Sequence, residues 1–254
     1  MAYHLQPNHS IAGHVERILV IDNYRVTTPF RLPLFANGSP TLLFSSAKGS
    51  IGNSAPAHLM LFGQTILPEI LTLRESFTLI AYFFKPWALH AIFGIAAPDL
   101  TDKPIDLNLI APKKTTELQE RLLNEASVED KLALVDRYIL GLIADAKNDC
   151  QIIKYATTKL TGTTSREVLT TIQKELFLTE RTFQRMFEKN IGIAPNLYRR
   201  IAQFNAAFWQ LNSKRYDKLS DIAFRHGYAD QSHYIRSFKE FTNLTPKDYI
   251  NFGR

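Results

Sequence analysis

Two stretches of this 254-residue chain set amide and guanidinium side chains at helical spacing opposite aromatic pairs. In the first, Arg181, Gln184, Arg185 and Glu188 share one face, with Phe183 and Phe187 on the other. In the second, Gln231, Ser232, Ile235, Arg236 and Lys239 share a face, with His233 at its rim and Tyr234 and Phe238 opposite. Residues three and four apart meet on one side of a helix. A glutamine there can pair bidentately with adenine and an arginine with guanine, so the chemistry on offer is recognition of base edges in a major groove. Thr179 is a good N-cap for the first of these helices, and the N–H groups behind it can also face a phosphate. Lys189, Arg199, Arg200, Lys239 and Lys247 suit phosphate contacts, which position a protein on a duplex without specifying sequence. An intramolecular salt bridge is the rival role for Arg185 and Arg236.

Each face needs an element to present it. Before the second stretch, Leu219, Ile222 and Ala223 make the apolar side of a short helix, with Ser220 as a plausible N-cap. Gly227 supplies a bend, Tyr228 folds inward behind it, and the second helix runs from about Asp230. Helix, tight turn and helix with a polar, basic outer face describe a helix-turn-helix. The pattern occurs twice. Leu219 and Ile222 repeat Leu169 and Ile172 at an offset of 50; Tyr234, Arg236, Phe238 and Pro246 repeat Phe183, Arg185, Phe187 and Pro195 at 51. A one-residue change inside a turn is what a loop tolerates. Two such units could read successive major grooves, roughly 34 Å apart on one face of a duplex. Between them Pro195 starts a longer helix with a stripe of Leu197, Ile201, Phe204, Phe208 and Leu211, ending at Asn212-Ser213. Its expected role is to hold the two readers at fixed separation. Pro246 begins a short final helix, with Tyr249, Ile250 and Phe252 available to close the core.

Residues Leu169 to Ile250 resemble the tandem helix-turn-helix domain of AraC-type transcription regulators. FQRMFEK at Phe183–Lys189 and, above all, IAFRHGYADQSHYIRSFKEFTNLTPKDY at Ile222–Tyr249 carry the resemblance. It covers roughly the last third of the chain and implies Gln184, Arg185, Gln231 and Arg236 as base contacts. It also implies double-stranded DNA and the transcription machinery as partners, with a small-molecule effector and a second copy of the chain as further ones. The first unit departs from the family pattern: Gln173 and Phe177 stand where Ala and Gly are usual, matching Ala223 and Gly227 of the second. Larger residues there predict a wider helix crossing. Gln203 stands where an Arg is common, and Asn243 replaces a Gly, a change the left-handed conformation tolerates.

Charge follows the same division. From Cys150 onward there are 17 Lys and Arg against 9 Asp and Glu, so this part carries +8 and the remainder −2. A basic region beside a mildly acidic one points to a polyanion partner for the basic one alone. One cysteine, Cys150, leaves no disulfide and no cysteine-based metal site within one chain. Apolar runs such as FTLIAYFF are far short of a membrane span. The segment MAYHLQPNHS lacks the basic region and apolar core of a signal peptide, which suits a cytoplasmic protein with no membrane partner.

The first part of the chain reads as short strands: Val15–Ile21, Thr41–Ser45, Leu59–Phe62 and Thr78–Phe84. Turn signals fall between them at Pro29, Asn37-Gly38-Ser39-Pro40, Gly49, Gly52-Asn53, Pro56 and Pro68. In Val15–Ile21, Val15, Arg17 and Leu19 alternate against Glu16 and Ile18. The spacing of LPLFANGSPTLLF and FGQ…YFFKPWALHAIFG is similar to the cupin-like sensor domain found before AraC-type helices. Pro86 to Phe93 follows as a short helix ended by Gly94. Thr115 or Thr116 caps a helix to Asn124, and a second helix runs from Ser127 to about Ala146, with Ser127 and Asp130 as a capping box. These two pack on the barrel or on a second subunit. The fold class expected is α+β: a β-rich, barrel-like domain with flanking helices over 1–148, then an all-α tandem helix-turn-helix domain over 149–254. Phe44, Phe62, Tyr82 and Trp87 are core, or they line an effector pocket.

No phosphate loop, dinucleotide fingerprint or His-Glu zinc helix is present. His4, His9, His14, His58 and His90 lack paired spacing with carboxylates, so no metal site, cofactor or catalytic residue is expected. The function expected is a sequence-specific DNA-binding transcription regulator and not an enzyme. The alternative is a sensor or scaffold whose basic domain binds an acidic partner protein.

Overall fold

The computed structural model describes residues 2–146, 151–163, 165 and 167–252. The expected domain boundary, the polar segment 147–149 and Cys150 lie outside those residues. The larger sheet runs β1 (Ala2–Leu5), β2 (Val15–Tyr24), β8 (Phe77–Phe84), β4 (Thr41–Ser45), β6 (Leu59–Phe62), β9 (Ile105–Asp106). The smaller runs β3 (Phe30–Leu34), β7 (Glu69–Leu73), β5 (Gly49–Ile51), and every named pairing is antiparallel.

Strand alternation sorts the side chains into two cores. Ile21, Leu43, Met60, Phe62, Leu79 and Ala81 point into the space between the sheets, where Leu71 and Leu73 meet them. Ile18, Val20, Leu42, Phe44, Leu61, Ile80, Tyr82 and Phe84 point the other way, onto helices. The central strands are therefore apolar on both faces, which is why they stand out in the sequence. The short β1, β3, β5, β7 and β9 do not. Pro33 is accommodated because β3 pairs with β7 alone. Val15 departs from the expected alternation. A register shift between Val15 and Arg17 puts Val15 in the helix-facing core, while Arg17 lies across from Phe83 on the other face.

The outer face of the larger sheet is covered by α1 (Ala88–Phe93), α2 (Pro112–Asn124) and α3 (Val128–Asp145). Gly94 ends α1 in the left-handed conformation, φ 68°. The α2 helix starts earlier than expected, at Pro112, a residue pre-set for the first turn. Thr115 is thus not a cap; its hydroxyl donates to the Ala111 carbonyl at 2.9 Å from inside the helix. Ser127 does cap α3, accepting from the Asp130 N–H. The Tyr82 hydroxyl ties sheet to α3 by donating to Asp136 at 2.8 Å.

Among the described residues, seven further helices follow: α4 (Gln151–Thr161), α5 (Val168–Glu175), α6 (Glu180–Ile191), α7 (Pro195–Asn212), α8 (Leu219–Arg225), α9 (Gln231–Thr242) and α10 (Pro246–Phe252). The long α7 is their axis. Ile201, Phe204 and Leu211 of its expected stripe are buried, joined by Tyr198 and Ala207, while Leu197 and Phe208 are partly buried. Phe204 meets Phe208, Phe238 and Phe241 at 5.2–5.6 Å. Cutting such a side chain to alanine typically costs about 3–5 kcal/mol.

Candidate nucleic-acid interface

In the second unit, α8 and α9 cross closely at Ala223 and Gly227. Gly227 adopts φ 73°, and the Tyr228 N–H donates to the Ala223 carbonyl at 2.9 Å. Ser220 lies inside α8 and is not its cap; the helix opens at Lys218, whose N–H donates to Asp221 Oδ2 at 2.8 Å. Asp230 caps α9, accepting from the His233 N–H at 2.7 Å. Two side chains of α7 brace the turn. Gln203 Nε2 donates to the His226 carbonyl at 2.8 Å, and Gln210 Oε1 lies 2.7 Å from His226 Nε2. Burial, then the nearby Arg225 charge, lowers the His226 pKa. Asn243 ends α9 at φ 59°, as its side chain permits.

The first unit repeats the plan with less close packing of α5 on α6. Phe177 occupies the turn position of Gly227 and is held at φ 53° with 95% of its surface exposed. Gln173 is half-buried. Thr179 caps α6 by accepting from the Thr182 N–H.

The outward residues fall as follows. On α6, Arg181, Gln184, Arg185 and Lys189 are exposed; on α9, Gln231, Ser232, Arg236 and Lys239 are exposed. Ile235 is half-buried, and His233 turns back on its own turn, where its Nδ1 accepts from the Ala229 N–H at 3.4 Å. Gln184 Nε2 donates to Glu188 Oε1 at 2.9 Å, so its amide is engaged along the helix. Among the described residues, Arg181, Arg185, Lys189, Arg236 and Lys239 form no ion pair. Arg200, expected at a phosphate, is instead paired with Glu240 and lies 5.7 Å from the Phe241 ring.

A second feature lies behind α6 and α9. Where the space between the sheets opens toward α7 and α10, a cavity of about 400 Å³ is walled by Leu19, Leu32 and Phe83 on one side and Phe208, Trp209 and Tyr249 on the other. Phe62 also lines it, whereas Phe44 and Tyr82 belong to the helix-facing core. Sequence reasoning misses Arg17 and Trp209 as lining residues. The available signals were a cation inside the apolar run of β2 and an aromatic on the polar side of α7. Among the described residues no cluster of three or more His, Cys, Asp or Glu is placed to hold a metal ion. No helix among them is long and apolar enough to cross a membrane.

Residues 172–251 match the family model of a helix-turn-helix domain, HTH_18. This part of the chain is an AraC-type helix-turn-helix domain. Residues 3–106, ahead of the AraC-type domain, match a domain of unknown function, DUF6597. No curated protein matches the sequence. Among solved structures, ToxT from Vibrio cholerae superposes with a TM-score of 0.53 at 13% identity, over 92% of this chain and 97% of that one. An unsaturated fatty acid bound wild-type ToxT from strain SCE256 gives 0.53 at 12%, over 92% and 94%. At such identity the likeness is one of fold: a β domain followed by a helical AraC-type domain. Residues 172–251 thus carry the helix-turn-helix domain of AraC-type regulators, and the fold is the one shared with ToxT.

Proposed function

We propose that this chain binds a specific DNA sequence through α6 and α9, set in successive major grooves, and that a small molecule in the cavity between the sheets and α7 alters how the two helices are presented. The observation that carries the first part is the matched pair Arg185 and Arg236. Both are exposed, both sit at the same place in their repeats, and neither is neutralised by a carboxylate among the described residues. Gln231 and Ser232 stand in the first turn of α9 beside Arg236. On α6, Arg181 in the first turn and Gln184 in the second stand beside Arg185, with Gln184 able to exchange Glu188 for a base. Lys189, Lys239, Lys247 and the N-terminus of α6 behind Thr179 take phosphates. Ile235 offers an apolar contact, such as with a thymine methyl, and His233 positions the turn.

Support for the effector comes from the cavity and from the fold shared with ToxT, one of whose structures holds an unsaturated fatty acid. The α2–α3 pair packs on the sheet but leaves Leu123 and Leu140 exposed, and there a second copy would join. The boundary between the two functional halves is proposed at 148/149.

The test is selection of bound sequences from a random duplex pool with the full-length protein. Two half-sites about one helical turn apart are expected. A single half-site would restrict base reading to α9. No enrichment, with and without candidate effectors, would favour an acidic protein partner for the basic half.

A further inference from the structure

The cavity has a polar annex. A second space of about 410 Å³ lies beside it, lined by Ser39, Lys85, Thr158 and Thr161 among others. Arg17, Asn37, Asn205 and Trp209 line both spaces. One cleft between the β domain and α7 is therefore apolar at one end and polar at the other, with Arg17 and Trp209 at its waist.

Arg17 is an unusual occupant of its position. Its neighbours on the same strand face, Leu19 and Ile21, are apolar, as the inside of a barrel requires. Its guanidinium lies 3.6 Å from the Phe83 ring centroid and 5.5 Å from that of Trp209. Stacking of this kind suits a weakly hydrated, planar cation. Among the described residues no carboxylate forms an ion pair with it. Glu16 is exposed toward the annex and accepts from the Ser39 hydroxyl at 3.4 Å. With Lys85 on the same side, the annex keeps a net positive charge. Burial lowers the Arg17 pKa, against the opposing charge of Glu16, the sign of a cation short of solvent. His4, also on the cavity wall, is lowered by burial first and by Arg17 second, which disfavours a second cation there.

We propose that this cleft takes one amphiphile, its hydrocarbon or aryl body in the apolar chamber and an anionic head of phosphate size or larger at Arg17, extending into the annex. The inference rests on the cavity being the effector site and adds the class of molecule. The annex is about as large as the apolar chamber, far more than a bare carboxylate fills. The Thr158 and Thr161 hydroxyls donate to the Lys154 and Thr157 carbonyls. They therefore offer lone pairs, while Lys85, Arg17 and the amides of Asn37 and Asn205 offer donors. A head with several oxygens and a hydroxyl satisfies both sets.

The experiment titrates full-length protein with decanol, decanoate and decyl phosphate, by calorimetry and by tryptophan fluorescence. The chain has two tryptophans, so Trp209→Phe assigns the optical signal. Decyl phosphate is expected to bind at least about tenfold more tightly than decanol, the scale of a charge-assisted hydrogen bond. It should also exceed decanoate. Arg17→Met should remove the preference for anions, bringing the affinities for decyl phosphate and decanol together. Phe208→Ala should weaken all three. Decanol binding as tightly as decyl phosphate overturns the anionic head and leaves the cavity as an effector site. Decanoate binding more tightly than decyl phosphate overturns the role of the annex. If none of the three binds, both the head assignment and the effector cavity fall. These outcomes are read on the wild-type protein and do not depend on how Arg17→Met folds.

Discussion

Arg185 and Arg236 carry the same charge at the same place in two repeats, yet their surroundings differ. Arg236 shares its face with Gln231 and Ser232, while Arg185 stands beside Gln184, which is already bonded to Glu188. A carboxylate one turn from the reading residues weakens the local positive potential and must be desolvated on docking. Arg236→Ala is therefore expected to lower operator affinity by about 10- to 100-fold, the 1–3 kcal/mol of one bidentate base contact. Arg185→Ala should cost less. Competition assays on the selected operator measure both, with helix content unchanged by circular dichroism. Lys239→Ala should instead weaken binding to all sequences alike and reduce the salt slope by about 1. Equal losses on specific and random duplex for Arg236→Ala would move it to the phosphate class.

At the scale of elements, the turn of the first unit holds Phe177 where the second unit has Gly227. Its left-handed conformation costs a non-glycine residue about 1–2 kcal/mol. The ring is exposed and repays little of that by packing. Phe177→Gly should raise stability by about 1 kcal/mol, less the extra freedom of glycine in the unfolded chain, read as an upward shift in urea midpoint. The link between β8 and α3 makes a second case. Asp136 is pushed up by burial, against the opposing effect of the Tyr82 hydroxyl it accepts. A carboxyl with a raised folded-state pKa favours folding while protonated. Its contribution is present below the unfolded value of about 3.9 and is lost as pH rises through the folded value. Asp136→Asn keeps an acceptor for Tyr82 without the charge. Its Tm advantage over the natural chain should be small at pH 3 and grow toward pH 7. Both helix-turn-helix units are legible in the sequence because their aromatic, arginine and proline positions recur at fixed spacing. The four central strands are legible because burial on both faces makes them continuous apolar runs. The other strands are not, since β1, β3, β5 and β9 lie at sheet edges and β7, central in the small sheet, is fully buried at only two of its positions. Arg17 and Trp209 are hidden for another reason: they come together only when a strand and a helix far apart in sequence pack.

At the scale of the whole molecule, α6 and α9 are anchored differently. The end of α6 rests on the turn at Ala97–Thr101, where the Thr101 hydroxyl donates to the Gly192 carbonyl at 3.0 Å. The back of α9 rests on an aromatic group instead: Phe238 lies 5.7 Å from Tyr249, and Tyr249 lies 5.1 Å from Phe208. Tyr249 and Phe208 are also walls of the cavity. Under the proposed function, filling the cavity would act on α9 through its own supports, while α6 would stay with the β domain. Gly192 tests that division. It has φ 95°, and an added Cβ would lie 2.6 Å from Thr101 Oγ1 and 2.8 Å from the Ala97 carbonyl oxygen. Gly192→Ala should therefore cost about 1–3 kcal/mol of stability and shift α6 off its seat. Binding to duplexes with either half-site scrambled gives the readout. The variant is expected to lose most of its preference for the half-site read by α6 and to keep that for the half-site read by α9. Equal loss at both would mean that the two readers move as one body, and that the cavity reaches them together through α7.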